Sequence, residues 1–200
     1  MQLIPLPRVE ARFSPPPYLT HSAPLVADGF GDVSFLLKYR IYGSNEEHHN
    51  AAVAAVLGGT VPTGKNGNGL CCAVLSPVLA AGKGLGRVVV SGTVGGALPL
   101  SGTAKLGRQV QSNGALQYHA TKLVWVEAEV NAVSYLGGKN DGSTQAFATP
   151  GVVFSRLRLS RKGASGGGRL ALTLGLGEQI ALTHFKTYDH APVFSARLRF

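Results

Sequence analysis

Two hundred residues suffice for one domain, yet only 14% are charged, well short of the ~25% of an ordinary soluble domain. No apolar run is long enough for a membrane-spanning helix, which needs ~18 residues or more. The net charge is +9, but the basic residues are spread along the chain, with one dense cluster at 156–162 and no nucleic-acid-binding motif, so no nucleic-acid partner is expected.

In chain order, residues 3–19 read as a first strand, with Arg8, Glu10, Arg12 and Ser14 on one face and Val9, Ala11 and Phe13 on the other. Pro15, Pro16 and Pro17 cannot donate to a ladder, so this part is expected to be an edge, a kink or an exit from the bilayer. A loop at 21–31 leads to the clearest strand, 32–42. Its Val33, Phe35, Leu37, Tyr39 and Ile41 share a face opposite Ser34, Lys38, Arg40 and Tyr42. After a polar turn, 43–50, a short strand is expected over 51–62, bounded by the turn signals of 63–69. The fourth strand is expected over 71–81. It would send the adjacent Cys71 and Cys72 to opposite faces, badly placed to bridge one another. Neither cysteine belongs to a zinc-type spacing.

A tight turn is expected at 82–86 and a small-residue strand at 87–98, then a loop at 100–107. Strand 109–119 sets Gln109, Gln111, Asn113, Gln117 and His119 against Val110, Leu116 and Tyr118. Strand 124–132 sets Glu127, Glu129 and Asn131 against Val124, Val126, Ala128 and Val130. Residues 145–159 alternate poorly and contain Pro150. The Gly-rich turn 161–168 precedes strand 170–182, whose leucine face is broken by Glu178. The last strand, 190–200, places Phe194, Ala196, Leu198 and Phe200 opposite Ser195, Arg197 and Arg199. The count is ten strands, each long enough for the ~9–11 residues that cross an outer membrane.

The fold class this implies is all-β: an antiparallel up-and-down transmembrane β-barrel of about ten strands, one domain over 1–200. An aromatic-ended, alternating final strand resembles the C-terminal signal strand of Gram-negative outer-membrane barrels. That likeness implies a barrel-assembly machinery reading the strand that ends at Phe200. No signal peptide is visible at Met1–Arg8, so the signal and the earliest strands are expected to lie outside this chain.

Residues 28–40, Asp-Gly-Phe-Gly-Asp-Val-Ser-Phe-Leu-Leu-Lys-Tyr-Arg, and Val61-Pro-Thr-Gly-Lys65 carry a second likeness. Over about residues 28–65 the chain resembles outer-membrane β-barrel proteins of the phenol-degradation meta-pathway (transporter-like) family. The resemblance implies localisation in the cell outer membrane of a Gram-negative bacterium, contact with outer-membrane lipids and lipopolysaccharide, and passage of small hydrophobic or aromatic solutes. It brings no catalytic residues. Locally, the glycines of the first motif suit a loop, and Asp32 is expected to bond nearby backbone.

No nucleophile, base and orienter converge in the pattern, so no enzyme activity is expected. The paired His48 and His49 are too few for a metal site, and Gly82–Gly86 lacks a phosphate-loop spacing; neither cofactor nor metal is expected. The chemistry instead lies in a polar interior: Lys38, Arg40, Gln111, Asn113, Gln117, His119, Glu127, Glu129, Asn131, Arg197 and Arg199 are the expected lumen-lining residues. Closure of the last strand on the first would bring Arg197 and Arg199 to Arg8, Glu10 and Arg12. The expected function is passive or facilitated passage of small molecules. The alternatives are a non-conducting structural or surface-interaction barrel, a lipid-modifying barrel enzyme, and a soluble β-protein with its apolar residues gathered in a core.

Overall fold

A computed structural model describes residues 2–6, 8–21, 27–44, 50–158 and 171–199. Thirteen strands follow in order: β1 (Gln2–Leu6), β2 (Val9–Ser14), β3 (Tyr18–Leu19), β4 (Gly29–Phe30), β5 (Val33–Gly43), β6 (Ala51–Val61), β7 (Val74–Leu85), β8 (Val88–Pro99), β9 (Arg108–His119), β10 (Val124–Leu136), β11 (Thr144–Arg158), β12 (Ala171–Ala181) and β13 (His190–Arg199). The only helix among the described residues longer than a single 3-10 turn is α1 (Thr103–Leu106). Eleven strands form one sheet in the order β1-β2-β5-β6-β7-β8-β9-β10-β11-β12-β13, and β3 pairs with β4. The all-β, antiparallel expectation therefore holds. The order has two ends, and among the described residues no ladder joins β13 to β1.

The chain divides into two compact units by contacts. The first comprises residues 1–81, 93–112 and 133–144. The single strand expected over 3–19 is here a hairpin, with Leu3 opposite Ala11 and Leu6 opposite Val9. Pro5 carries no N–H for a continuous ladder, and the register shifts between Leu3 and Leu6. After the proline run, Tyr18 pairs with Phe30 inside the region expected to be loop, their rings edge-to-face at 5.2 Å.

β2, β5 and β6 pair in sequence, with Phe13 opposite Phe35 and Phe35 opposite Gly59. The Phe35 ring lies directly on Gly59, where a Cβ would collide with it. The β5–β6 register shifts between Arg40 and Tyr42, a bulge that leaves Ile41 as the extra residue. Tyr42 thus leaves the face that the alternation of 32–42 assigns it, and Tyr39, Ile41 and Tyr42 are all exposed.

Asp32 organises the loop after β6. Its Oδ1 accepts the N–H groups of Thr63 (3.0 Å) and Gly64 (2.8 Å), and its Oδ2 that of Leu70 (2.6 Å). The expectation of local bonds is corrected: the partners are more than thirty residues away. A Cβ on Gly69 would strike this carboxylate. The fourth strand begins at Val74, so Cys71 and Cys72 sit in a bend before it and not on opposite faces of a strand.

The second unit comprises 82–92, 113–132 and 145–200. The turn expected at 82–86 is mostly strand; the reversal lies at Gly86–Arg87, with Gly86 at φ 61°. Residues 144–158 form the longest strand despite Pro150, which is exposed. The β12–β13 ladder runs without interruption from Ala171 opposite Arg199 to Ile180 opposite His190. The Gly-rich turn 161–168, the polar turn over 45–49 and Phe200 lie outside the described residues.

The burial pattern is opposite to that of a domain with an apolar core. Among the described residues the buried apolar side chains are Ala54, Cys72 and Phe147, and no large side chain is fully buried. In the first unit Phe35, Leu37, Leu57, Leu79, Leu98 and Val110 are exposed. In the second, Leu116, Tyr118, Val126, Val130, Leu176, Phe194 and Leu198 are exposed. The alternative in which these residues gather in a core does not fit the described residues.

Candidate functional site

The period of two that exposes the apolar face places the polar face on the more enclosed side. On β10, Val126, Ala128 and Val130 are exposed while Glu127, Glu129 and Asn131 are half-buried. On β9, Val110, Leu116 and Tyr118 are exposed while Gln109, Gln111, Gln117 and His119 are half-buried.

Three of the expected residues meet in the second unit. Gln117 Nε2 donates to Glu127 Oε2 at 2.7 Å. The Glu127 and Glu129 carboxyl groups lie beside one another. Two residues apart on one strand, they share a face, and a carboxylate pair at this range repels unless a proton or cation lies between them. Beside them His119 stacks on Trp125, ring centroids 4.2 Å apart and 17° from parallel.

The two glutamates line a cavity of about 240 Å³. Its floor is made by Gly151, Gly175 and Gly177, with Thr149 and Ser195 alongside. At these three positions neighbouring backbone and side chains pack against the glycine Cα atoms. A Cβ on Gly175 would collide with Ser195 Oγ, and one on Gly151 would stand 2.9 Å from the Leu176 carbonyl oxygen. Thr149 Oγ1 is buried without a hydrogen-bond partner. These glycines are not among the expected site residues; their recurrence over 151–177 is the sequence signal that points to them.

Elsewhere the polar face is a set of smaller contacts. In the first unit, Lys38 is half-buried and its Nζ lies 3.8 Å from Glu10 Oε2, while Arg12 pairs with Glu10 directly. Gln111 Nε2 donates to Gln109 Oε1 at 3.2 Å.

Three of the expected lumen-lining residues are exposed, and one expected approach is not seen among the described residues. Arg40 is exposed, at the edge of the bulge. Asn113 is exposed, on a stretch of β9 where Ser112 and Gly114 are exposed too, so alternation lapses there. Arg197 is exposed, since β13 has one neighbour in the sheet and little covers either of its faces. Its approach with Arg199 to Arg8, Glu10 and Arg12 requires a β13–β1 ladder, which the described residues lack. The Arg199 side chain lies outside the described set.

Glu178, the charge that breaks the leucine face, is exposed with His190 Nδ1 3.1 Å away. In the loop between β12 and β13, Lys186 Nζ lies 2.5 Å from Asp189 Oδ1, and this ammonium holds the Asp189 carboxyl below its ordinary pKa. Tyr188 stacks on Phe147 at 4.8 Å and Gln145 Nε2 donates to Thr187 Oγ1, anchoring the loop to β11.

No protein-family model, curated protein or solved structure matches the chain.

Proposed function

We propose that this chain is an outer-membrane β-barrel of a Gram-negative cell, through which small molecules pass passively or by facilitated diffusion. The observation that carries the reading is the inverted face pattern. Leu37, Leu57, Val126 and Leu176 stay exposed, while Glu127, Glu129, Gln111 and Gln117 on alternate positions are half-buried. In water such a surface would expose far more contiguous apolar area than a monomer tolerates; against acyl chains it is the stable arrangement. A shallow groove of about 360 Å³ lined by Phe13, Phe35, Leu37 and Leu57 suits the same contact.

Strand length adds support. Strands β5 to β13 run from 10 to 15 residues, and about 9–11 cross the bilayer. From β6 to β11 the connections alternate between long and short, at twelve, two, eight, four and seven residues, while the twelve residues between β11 and β12 depart from the alternation. That alternation fits the turns and loops of such barrels. On this reading the sheet closes in the membrane, lipids and lipopolysaccharide surround it, and the assembly machinery reads β13. The likeness of residues 28–65 to a transporter-like family supplies the aromatic class of solute.

A second reading, a non-conducting barrel, draws on the His119–Trp125 stack and the Gln117–Glu127–Glu129 contacts, which occupy polar-face space. Ten or eleven strands enclose far less than the 16–18 of an open porin. Recording from the purified chain in a planar lipid bilayer separates the two. Steady unitary conductance is expected; a membrane-inserted but silent protein selects the second. Partition into the aqueous phase without detergent overturns both.

A further inference from the structure

The two cysteines of the chain are neighbours, Cys71 and Cys72. In the bend before β7 their Sγ atoms are 2.8 Å apart, against a disulfide bond of about 2.04 Å. Cys71 is exposed and Cys72 is buried. The loop before β9 holds the pair from the other side. Gly102, at φ 64°, lies so close that a Cβ there would stand 2.8 Å from Cys72 Sγ and 3.3 Å from Cys71 Sγ. The backbone N–H of Leu100 donates to the Ala73 carbonyl at 2.9 Å. The Ser101 hydroxyl and the Lys105 ammonium lie near Cys72 and favour its thiolate. The bond to Cys71, then burial, push the Cys72 thiol above its ordinary pKa.

We propose that Cys71 and Cys72 form a two-electron redox site that closes into an eight-membered disulfide ring by exchange with a small-molecule disulfide. The exposed Cys71 thiolate attacks one sulfur of the external disulfide RSSR, forming Cys71–S–SR and releasing RS⁻. Cys72 gives its proton to solvent, and its thiolate attacks the Cys71 sulfur, expelling a second RS⁻. Two cysteine thiols lose two protons and two electrons; RSSR gains them and leaves as two RSH. Exposure makes Cys71 the first nucleophile, and burial makes Cys72 the resolving thiol. Contact at 2.8 Å gives the internal attack an effective concentration that no second chain can match. This closeness is unlike that of strand neighbours, whose side chains diverge. The site stands independently of the membrane reading.

The test uses the full chain in detergent micelles, reduced, desalted and incubated with oxidised glutathione. Expected are a mass loss of two hydrogens, a monomer on a non-reducing gel, and no thiol reactive to maleimide after denaturation. Phenylarsine oxide, which requires two adjacent free thiols, binds before oxidation and not after. Cys72→Ser stops at a glutathione adduct on Cys71. Cys71→Ser stays unmodified while folded and reacts once unfolded. A wild-type chain that keeps a stable glutathione adduct, retains two free thiols or links into dimers overturns the proposal.

Discussion

Asp32 and Leu70 are joined by a 2.6 Å hydrogen bond from the Leu70 N–H to Oδ2, while Oδ1 takes the N–H groups of Thr63 and Gly64. One carboxylate thus satisfies three backbone donors of a loop that has no ladder of its own. Charge-assisted bonds contribute about 1.5–3 kcal/mol each before shared effects are discounted. Asp32→Ala is therefore expected to lower stability by roughly 2–3 kcal/mol. Thermal unfolding in detergent, with protease cutting at 63–70, checks this. Asp32→Asn, which cannot accept at both positions, should fall between wild type and Ala. An Ala variant as stable as wild type would mean that this carboxylate does not hold the loop.

Val126 offers a direct test of what the exposed face meets. It is 48% exposed on β10, between the half-buried Trp125 and Glu127. Val126→Arg should cost about 2–4 kcal/mol if the residue faces acyl chains near the bilayer midplane, and within ~0.5 kcal/mol of nothing if it faces water. Reversible unfolding from lipid vesicles measures the difference. A neutral result sinks the membrane reading.

The glutamate pair should govern ion preference if the interior conducts. Glu127→Gln with Glu129→Gln removes both carboxylates from the glycine-floored cavity while keeping side-chain volume. The basic residues left on the polar face then bias permeation toward anions. Reversal potentials under a salt gradient should move toward the chloride potential. An unchanged potential in a conducting wild-type protein would place the pathway elsewhere.

Asp189 gives the pH prediction. Its folded pKa lies below the unfolded value because of Lys186. The pair therefore contributes fully above the unfolded value, near pH ~4, and its contribution disappears as pH falls through the lower, folded value. Amide protection factors in the 183–189 loop, corrected for the intrinsic pH dependence of exchange, should fall on acidification below about pH 4. Asp189→Asn should flatten that dependence. A loop equally labile well below and well above that range would leave the pair without a role.

Alternation makes the strands legible where one face is uniformly apolar. Val126, Ala128 and Val130 against Glu127 and Glu129 orient β10 from the residues alone, and Leu116 and Tyr118 do so for β9. It fails where a single residue or a distant partner decides. The bulge at Ile41 exposes Arg40 and moves Tyr42, and no local pattern announces it. The hairpin over β1 and β2 reads as one alternating run because both arms share the same period. Asp32 looks like a local turn residue because its partners lie thirty and more positions on. Cys71 and Cys72 read as strand residues because the strand itself starts two residues later, at Val74.

The extra residue at Ile41 has a bearing on depth. A strand crossing oil need only repeat its two-sided pattern, and any break in the repeat is harmful until the oil ends. Here the break comes with Tyr39 and Tyr42 turned to the same side, each carrying a ring that tolerates hydrocarbon and a hydroxyl that wants water. On the proposed reading this end of β5 is a waterline, and the rings of Tyr39 and Tyr42 record how far the protein sinks.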